Sequence, residues 1–220
     1  MHPENNDFEQ KISLGGNIWK FSPYSENAAE LTAARYDLPA AVAAVLTARG
    51  IDTAEAEDFL YPKIQKLMPD PCCLRDMQKA ASRIADAVEK GENIAIIGDY
   101  DVDGATSSSV LKLFLNSVGC EAPVHIPERE EGYGPSKTAV DEFAALGTKL
   151  LITTDCGTTA FDVLEYAKDK GMDVIVLDHH EAETKLPDIY AVVNPKRLDE
   201  GDEYPYLKYM AAVGVVFVAI

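Results

Sequence analysis

Asp99, Asp101 and Asp103 alternate at the end of the run Ile-Ala-Ile-Ile-Gly-Asp-Tyr-Asp-Val-Asp-Gly, residues 94–104. Three carboxylates on one turn repel each other unless a cation sits among them. Two more apolar runs end alike: 149–154 leads into Asp155-Cys156-Gly157, and 172–177 into Asp178-His179-His180. Carboxylate oxygens with one or two imidazoles and no thiolate cluster suit Mg2+ or Mn2+ better than a structural zinc. Two such ions about 3.5 to 4 Å apart are a device for in-line displacement at phosphorus.

Two plainer explanations account for less. A calcium-binding EF-hand loop shares Asp-x-Asp-x-Asp-Gly but needs a Glu at its end and a helix ahead of it. Here Val110 holds the Glu position and a short β-rich run precedes Asp99. Helix capping explains one Asp at each strand end, because Asp is a favoured N-cap. It does not explain three at the first end or the paired histidines at the third.

Something must bring these groups together. Apolar runs buried on both faces belong to parallel sheets, and 105–118, 136–146 and 158–170 carry helical spacing, the last with Gly171 as a stop. Strand and helix alternate, so the crossovers are right-handed and the acidic ends share one sheet edge. The expected fold class is α/β: a parallel sheet with helices on both faces, residues 76–220, behind a small helical extension, residues 1–75. In that extension 38–49 and 53–60 read as helices, with Thr53 as N-cap, and 76–90 reads as an amphipathic helix after a connector at 69–73. Residues 1–17 are expected to be disordered, and Trp19 and Tyr24 to pack rather than bind.

These motifs resemble the first three of the DHH phosphoesterase superfamily. Ile126-Pro127-Glu128-Arg129, Glu131-Gly132-Tyr133-Gly134, Val193-Asn194-Pro195 and the closing 211–217 narrow the resemblance to the RecJ family of bacterial single-strand DNA exonucleases. The likeness runs from about Trp19 to the last residue. It implies that Asp101 and Asp103 ligate metal, with Asp99 close by, that Asp155 serves two Mn2+ or Mg2+ ions, and that His179 is the imidazole ligand. It implies catalytic roles for His180, beside the scissile phosphate, and for Asp155 and Asp178. Arg129, Tyr133 and Gly134 would contact substrate, Arg129 on a phosphate and Tyr133 on a base. The implied reaction is 5′→3′ hydrolysis of single-stranded DNA in repair and recombination, with helicase and single-strand-binding protein as partners.

The resemblance also implies a fourth motif with a further metal-binding Asp and a second domain that grips nucleic acid, both beyond Ile220. The chain is therefore expected to be the amino-terminal part of a longer protein, inactive or slow alone, with the apolar 210–220 covered by residues beyond it. Two alternatives share the fold: a phosphoesterase for short oligonucleotides or cyclic dinucleotides, and a non-catalytic replication scaffold.

Composition bounds the rest. With 37 acidic and 20 basic residues the net charge is -17, which opposes nucleic-acid binding unless bound cations and further domains offset it. Basic residues to watch are Arg129, Lys137, Lys196 and Arg197. Cys72, Cys73, Cys120 and Cys156 lack disulfide or zinc spacing, and no leader opens the chain, so a reduced, cytoplasmic setting is expected. Cys156 reads as a small buried filler. Residues 210–220 are too few for a membrane span, which needs about 20.

Overall fold

The computed structural model describes residues 12–18, 20, 22–130, 132–201 and 203–220. The chain forms two compact units, Met1–Met68 and Pro69–Ile220. They part ahead of the boundary expected after Arg75, because Leu74 joins the core of the second unit.

In the first unit lie α1 (Glu26–Tyr36), α2 (Ala40–Ala48), α3 (Ala56–Leu60) and α4 (Ile64–Leu67). Helix α1 was not expected: it has no apolar stripe, burying only Ala29 and Thr32, and rests on the Ser25 cap, whose side chain accepts from the Ala28 N–H. Thr53 is not the cap it resembled. The helix starts after Glu55, Asp52 accepts from Ala54 and Glu55 in the turn ahead of it, and the Thr53 hydroxyl pairs with Thr32 at 2.8 Å. Ile12 and Ile18 form an antiparallel bridge, so local structure begins within the segment expected to be disordered; residues 1–11 and Trp19 lie outside the described residues.

The second unit runs α5 (Met77–Lys90), β1 (Ile94–Gly98), α6 (Val102–Ser117), β2 (Val124–His125), α7 (Lys137–Ala145), β3 (Leu150–Thr154), α8 (Phe161–Asp169), β4 (Asp173–Leu177), β5 (Ala191–Val193) and α9 (Ala212–Ala219). The five strands are all parallel, in the order β2-β1-β3-β4-β5. β1, β3 and β4 stand where the apolar runs place them. β2 and β5 are too short to leave a periodic signal.

Side chains alternate across the sheet. Ile94, Ile96, Ile152 and Leu177 pack with Ile84 of α5, Leu111 of α6 and Val215 of α9, while Ile97, Leu151 and Val176 pack on the other face with Phe143 of α7 and Leu164 of α8. Burying each such side chain stabilises the fold by about 1.5–3 kcal/mol. Helix α9 was expected to be covered from beyond Ile220, yet this chain already covers much of it: Ala212, Val215, Val216 and Ala219 are buried and Phe217 is half-exposed. Arg197, a candidate for contacting phosphate, instead clips β5 to the start of α5 through Asp76 at 2.8 Å and the Val192 carbonyl at 2.6 Å. No helix among the described residues is long and apolar enough to cross a membrane.

Candidate active site

Register decides which residues meet. Gly98 pairs with Thr154, Thr154 with Leu177 and Leu177 with Val193. The next residue on each strand is therefore in one row at the carboxyl edge: Asp99, Asp155, Asp178 and Asn194. Parallel neighbours are about 4.8 Å apart, so these side chains converge. From β1 the chain leaves to one side for β2 and returns past β1 to β3, so the row spans the topological switch point.

Helix α6 begins earlier than its spacing suggests. Asp101 is its N-cap, accepting from the Gly104 N–H at 3.0 Å, and Asp103 lies inside the first turn. A Cβ on Gly104 would run into the backbone of Asp99, so glycine lets the helix start against the strand end. Helix α8 begins later than expected, because Thr158 is bonded to Asp178 before the helix starts.

Two overlapping groups of ligating atoms result. Asp99, Asp101 and Asp155 form one, and Asp155, His179 and His180 the other, with the atoms of each within 4.8 Å of one another. Asp155 belongs to both and is 1 % exposed with φ 60°, a left-handed conformation that Asp tolerates. Among the described residues neither of its buried oxygens has a hydrogen-bond partner, nor does Asp99 Oδ1. Burial first, then the carboxylates of Asp103 and Asp101, pushes the Asp155 carboxyl up to about 8. Burial likewise raises Asp99, whereas the Gly104 N–H lowers Asp101.

His179 is held as a metal-binding imidazole is. Its Nδ1 lies 3.0 Å from the Met210 carbonyl, which only accepts, so that nitrogen carries the proton. Nε2 then turns its lone pair toward Asp155 Oδ1 at 3.3 Å and Asp103 Oδ2 at 3.5 Å. An imidazole nitrogen and two carboxylate oxygens gathered within about 3.5 Å are a donor set that fits a divalent ion. Asp103 also caps α9, its oxygens accepting from the Ala212 and Val213 N–H groups at 2.7 and 2.9 Å.

Asp178 is equally buried but fully engaged. Thr158 donates through its N–H and hydroxyl to Oδ2, while Oδ1 accepts from the His179 and His180 amides and from His180 Nδ1 at 2.8 Å. Burial opposes ionisation here, but the hydrogen bonds from His180 and Thr158 outweigh it and hold the carboxyl down to about 2. The bond to Asp178 in turn raises His180, against the opposing effect of burial. Asn194 braces the assembly by donating to the Thr158 hydroxyl and the His180 carbonyl, both at 2.9 Å. Thr158 and Asn194 were not singled out as site residues, although Asn194 ends an apolar run as the three aspartates do.

The Tyr133 hydroxyl donates to the Asp155 carbonyl at 3.2 Å and lies 3.1 Å from His180 Nδ1, so its oxygen end is packed into the site. Burial, then Asp178, pushes this phenol well above its ordinary value. Gly134 follows with φ 82°, its Cβ position facing Cys156. Arg129 stacks over Tyr100, between Asp99 and Asp101, with 5.0 Å from guanidinium to ring centroid. Cys156 is fully buried, as a filler would be, and burial pushes its thiol well above the usual range.

An open parallel sheet with acidic and imidazole ligands across its switch point is the arrangement of a metal-dependent phosphoesterase domain. Residues 93–220 match the model of the DHH family, N-terminal domain, and the chain belongs to that family. Its relatives include the single-stranded-DNA-specific exonuclease RecJ of Bacillus subtilis, 43 % identical over 80 % of this chain and 22 % of the relative. RecJ of Salmonella typhimurium is 34 % identical over 88 % of this chain and 32 % of the relative. The structure of Thermus thermophilus RecJ in complex with Mn2+ superposes with a TM-score of 0.68 at 28 % identity, covering 90 % of this chain and 27 % of that one. The chain thus spans between about a fifth and a third of the length of these relatives.

Proposed function

We propose that this chain carries the metal centre of a RecJ-type exonuclease that hydrolyses single-stranded DNA from its 5′ end. Residues 76–220 would be its catalytic domain and 1–75 an extension. The observation that carries the reading is Asp155, whose two oxygens are buried without a hydrogen-bond partner among the described residues and whose Oδ1 lies 3.3 Å from His179 Nε2. Asp99, Asp101 and Asp155 would hold one ion and Asp155 with His179 the other, with Asp103 adjoining; Mn2+ or Mg2+ fits this donor set. Bound there, such ions ease deprotonation of a water and stabilise charge at phosphoryl oxygens.

The chain's own residues do the rest. His180, fixed by Asp178 and Tyr133, would present Nε2 to a non-bridging phosphate oxygen. Asp178 is 1 % exposed and its oxygens are taken up by Thr158, His179 and His180, so it would act by positioning His180 rather than by touching substrate. Arg129 would leave its stacked place over Tyr100 to hold a phosphate bidentately, and Gly134 would let the strand approach. Repair and recombination, a cytoplasmic location, and helicase and single-strand-binding partners follow from the family resemblance and belong to the whole protein.

The test uses the full-length protein and a strand labelled at either end, with Mn2+ and with chelator. Early loss of the 5′ label as a mononucleotide, absent in Asp155→Asn, supports the reading. Hydrolysis of a dinucleotide alone moves the protein to the oligonucleotide phosphoesterases, and cleavage of nothing moves it to the scaffolds.

A further inference from the structure

A cleft of about 710 Å3 opens beside His179, and neither Arg129 nor Tyr133 lines it. Lys196, Arg197, Lys208 and Tyr209 line it, together with the carboxylates of Glu181 and Glu200. In a chain of net charge -17, this lining gathers three cations, Lys196, Arg197 and Lys208, around one opening. Arg197 is committed to Asp76 and Asp199, so it holds the wall of the cleft in place. Lys196 is differently placed. Its ammonium lies 3.1 Å from Glu181, a carboxylate whose side chain is 87 % exposed, and such a solvated pair is worth little and exchanges readily for a phosphate.

Tyr209 is 90 % exposed and is tied to the metal centre through the backbone, because the carbonyl of the next residue, Met210, accepts from His179 Nδ1. An aromatic ring standing in water beside two lysines offers stacking and charge together. That pairing matches a single strand, whose bases are free to stack and whose phosphates recur at every step, rather than a duplex or a peptide.

We propose that this cleft is a subsite for a nucleotide flanking the scissile phosphate, with its base stacked on Tyr209 and its phosphate held by Lys196 and Lys208. The assignment rests on the exonuclease reading for its substrate and goes beyond it in naming where the neighbouring nucleotide lies. Removing one stacking side chain costs on the order of tenfold in affinity per base by the usual truncation measure.

The experiment uses full-length protein with Mn2+ and an oligonucleotide carrying 2-aminopurine near its 5′ end. Stacking on Tyr209 should quench the fluorescence of the bound base. Tyr209→Ala is expected to raise KM about tenfold, with a smaller change in kcat, and to relieve the quench, while Tyr209→Phe keeps both. An abasic site at that nucleotide should cost wild type the same factor and cost Tyr209→Ala nothing more. Lys196→Ala combined with Lys208→Ala should flatten the salt dependence of KM. If Tyr209→Ala cleaves and quenches as wild type does, or only lowers Tm because another part of the protein covers the ring, the subsite is overturned and the exonuclease reading stands. If wild type quenches but does not cleave, the exonuclease reading fails and the cleft remains a nucleic-acid site. Neither quenching nor cleavage overturns both.

Discussion

Asp155 and Asp178 end neighbouring strands of one sheet and are each 1 % exposed. Yet one carboxyl is pushed up to about 8 and the other held down to about 2. Burial is common to both, so it cannot be the cause of the difference. Asp178 receives N–H and O–H donors on both oxygens, while Asp155 receives none among the described residues and faces other carboxylates. A buried charge is tolerated when the fold supplies its partners. Where the fold withholds them, the carboxylate is left for a ligand from solution, and that contrast separates the internal support from the position proposed for metal.

Breaking the contrast at Asp155 should have the largest effect. Asp155→Asn is expected to abolish Mn2+ binding by calorimetry and cleavage by the full-length protein, yet to raise the metal-free Tm at pH 8, because an unpaired buried charge is removed. Asn also tolerates the φ of 60° that Ala would resist, so the backbone is preserved. The matching change on the other side, Asp178→Asn, places amide hydrogens against Thr158 or His180 donors. It should cost about 3 kcal/mol of stability, read as a lower urea midpoint; an unchanged midpoint would remove the claim that Asp178 is internal support.

Asn194→Ala tests whether the brace reaches the chemistry. Supporting groups of this kind typically matter by about 10–100-fold, so kcat should fall within that range while Mn2+ affinity changes less. Equal losses in both would place Asn194 with the metal ligands instead.

The last test is a slope against pH in metal-free protein. The Asp155 carboxyl is raised from its ordinary 3.8 to about 8, so its contribution is full below about 4 and is lost as pH rises through 8. His180, also raised from 6.5, acts in the same sense. Asp178, lowered to about 2, contributes fully above its ordinary value and loses it only as pH falls through 2. Metal-free Tm should therefore decline from about pH 4 to about pH 8, and saturating Mn2+ should flatten or reverse the decline. A flat metal-free profile would sink the assignment of Asp155 as the unpaired acid.

The central strands and the aspartates after them were legible because apolar runs of five residues leave a periodic trace and a charged residue interrupts them visibly. The short edge strands β2 and β5, of two and three residues, were too brief to stand out, and with β5 went the structural role of Asn194. Helix α1 was hidden by its lack of an apolar face. The double duty of Asp103, the hydrogen bond that fixes His179 through a backbone carbonyl and the diversion of Arg197 to Asp76 depend on residues far apart in the chain. No local pattern encodes such pairings, whereas strand register, once built, delivers them together.

Asp103 and the Ala212 amide that it caps are 109 residues apart. At a synthesis rate of about 5–20 residues per second, roughly 5 to 20 s separate their emergence during translation. Throughout that interval the acidic turn exists without its last neighbour, and the carbonyl that orients His179 has not yet been made. A nascent chain is thus barred from assembling the finished cluster early, and the order of synthesis itself sets the moment at which Asp103, Asp155 and His179 first stand together.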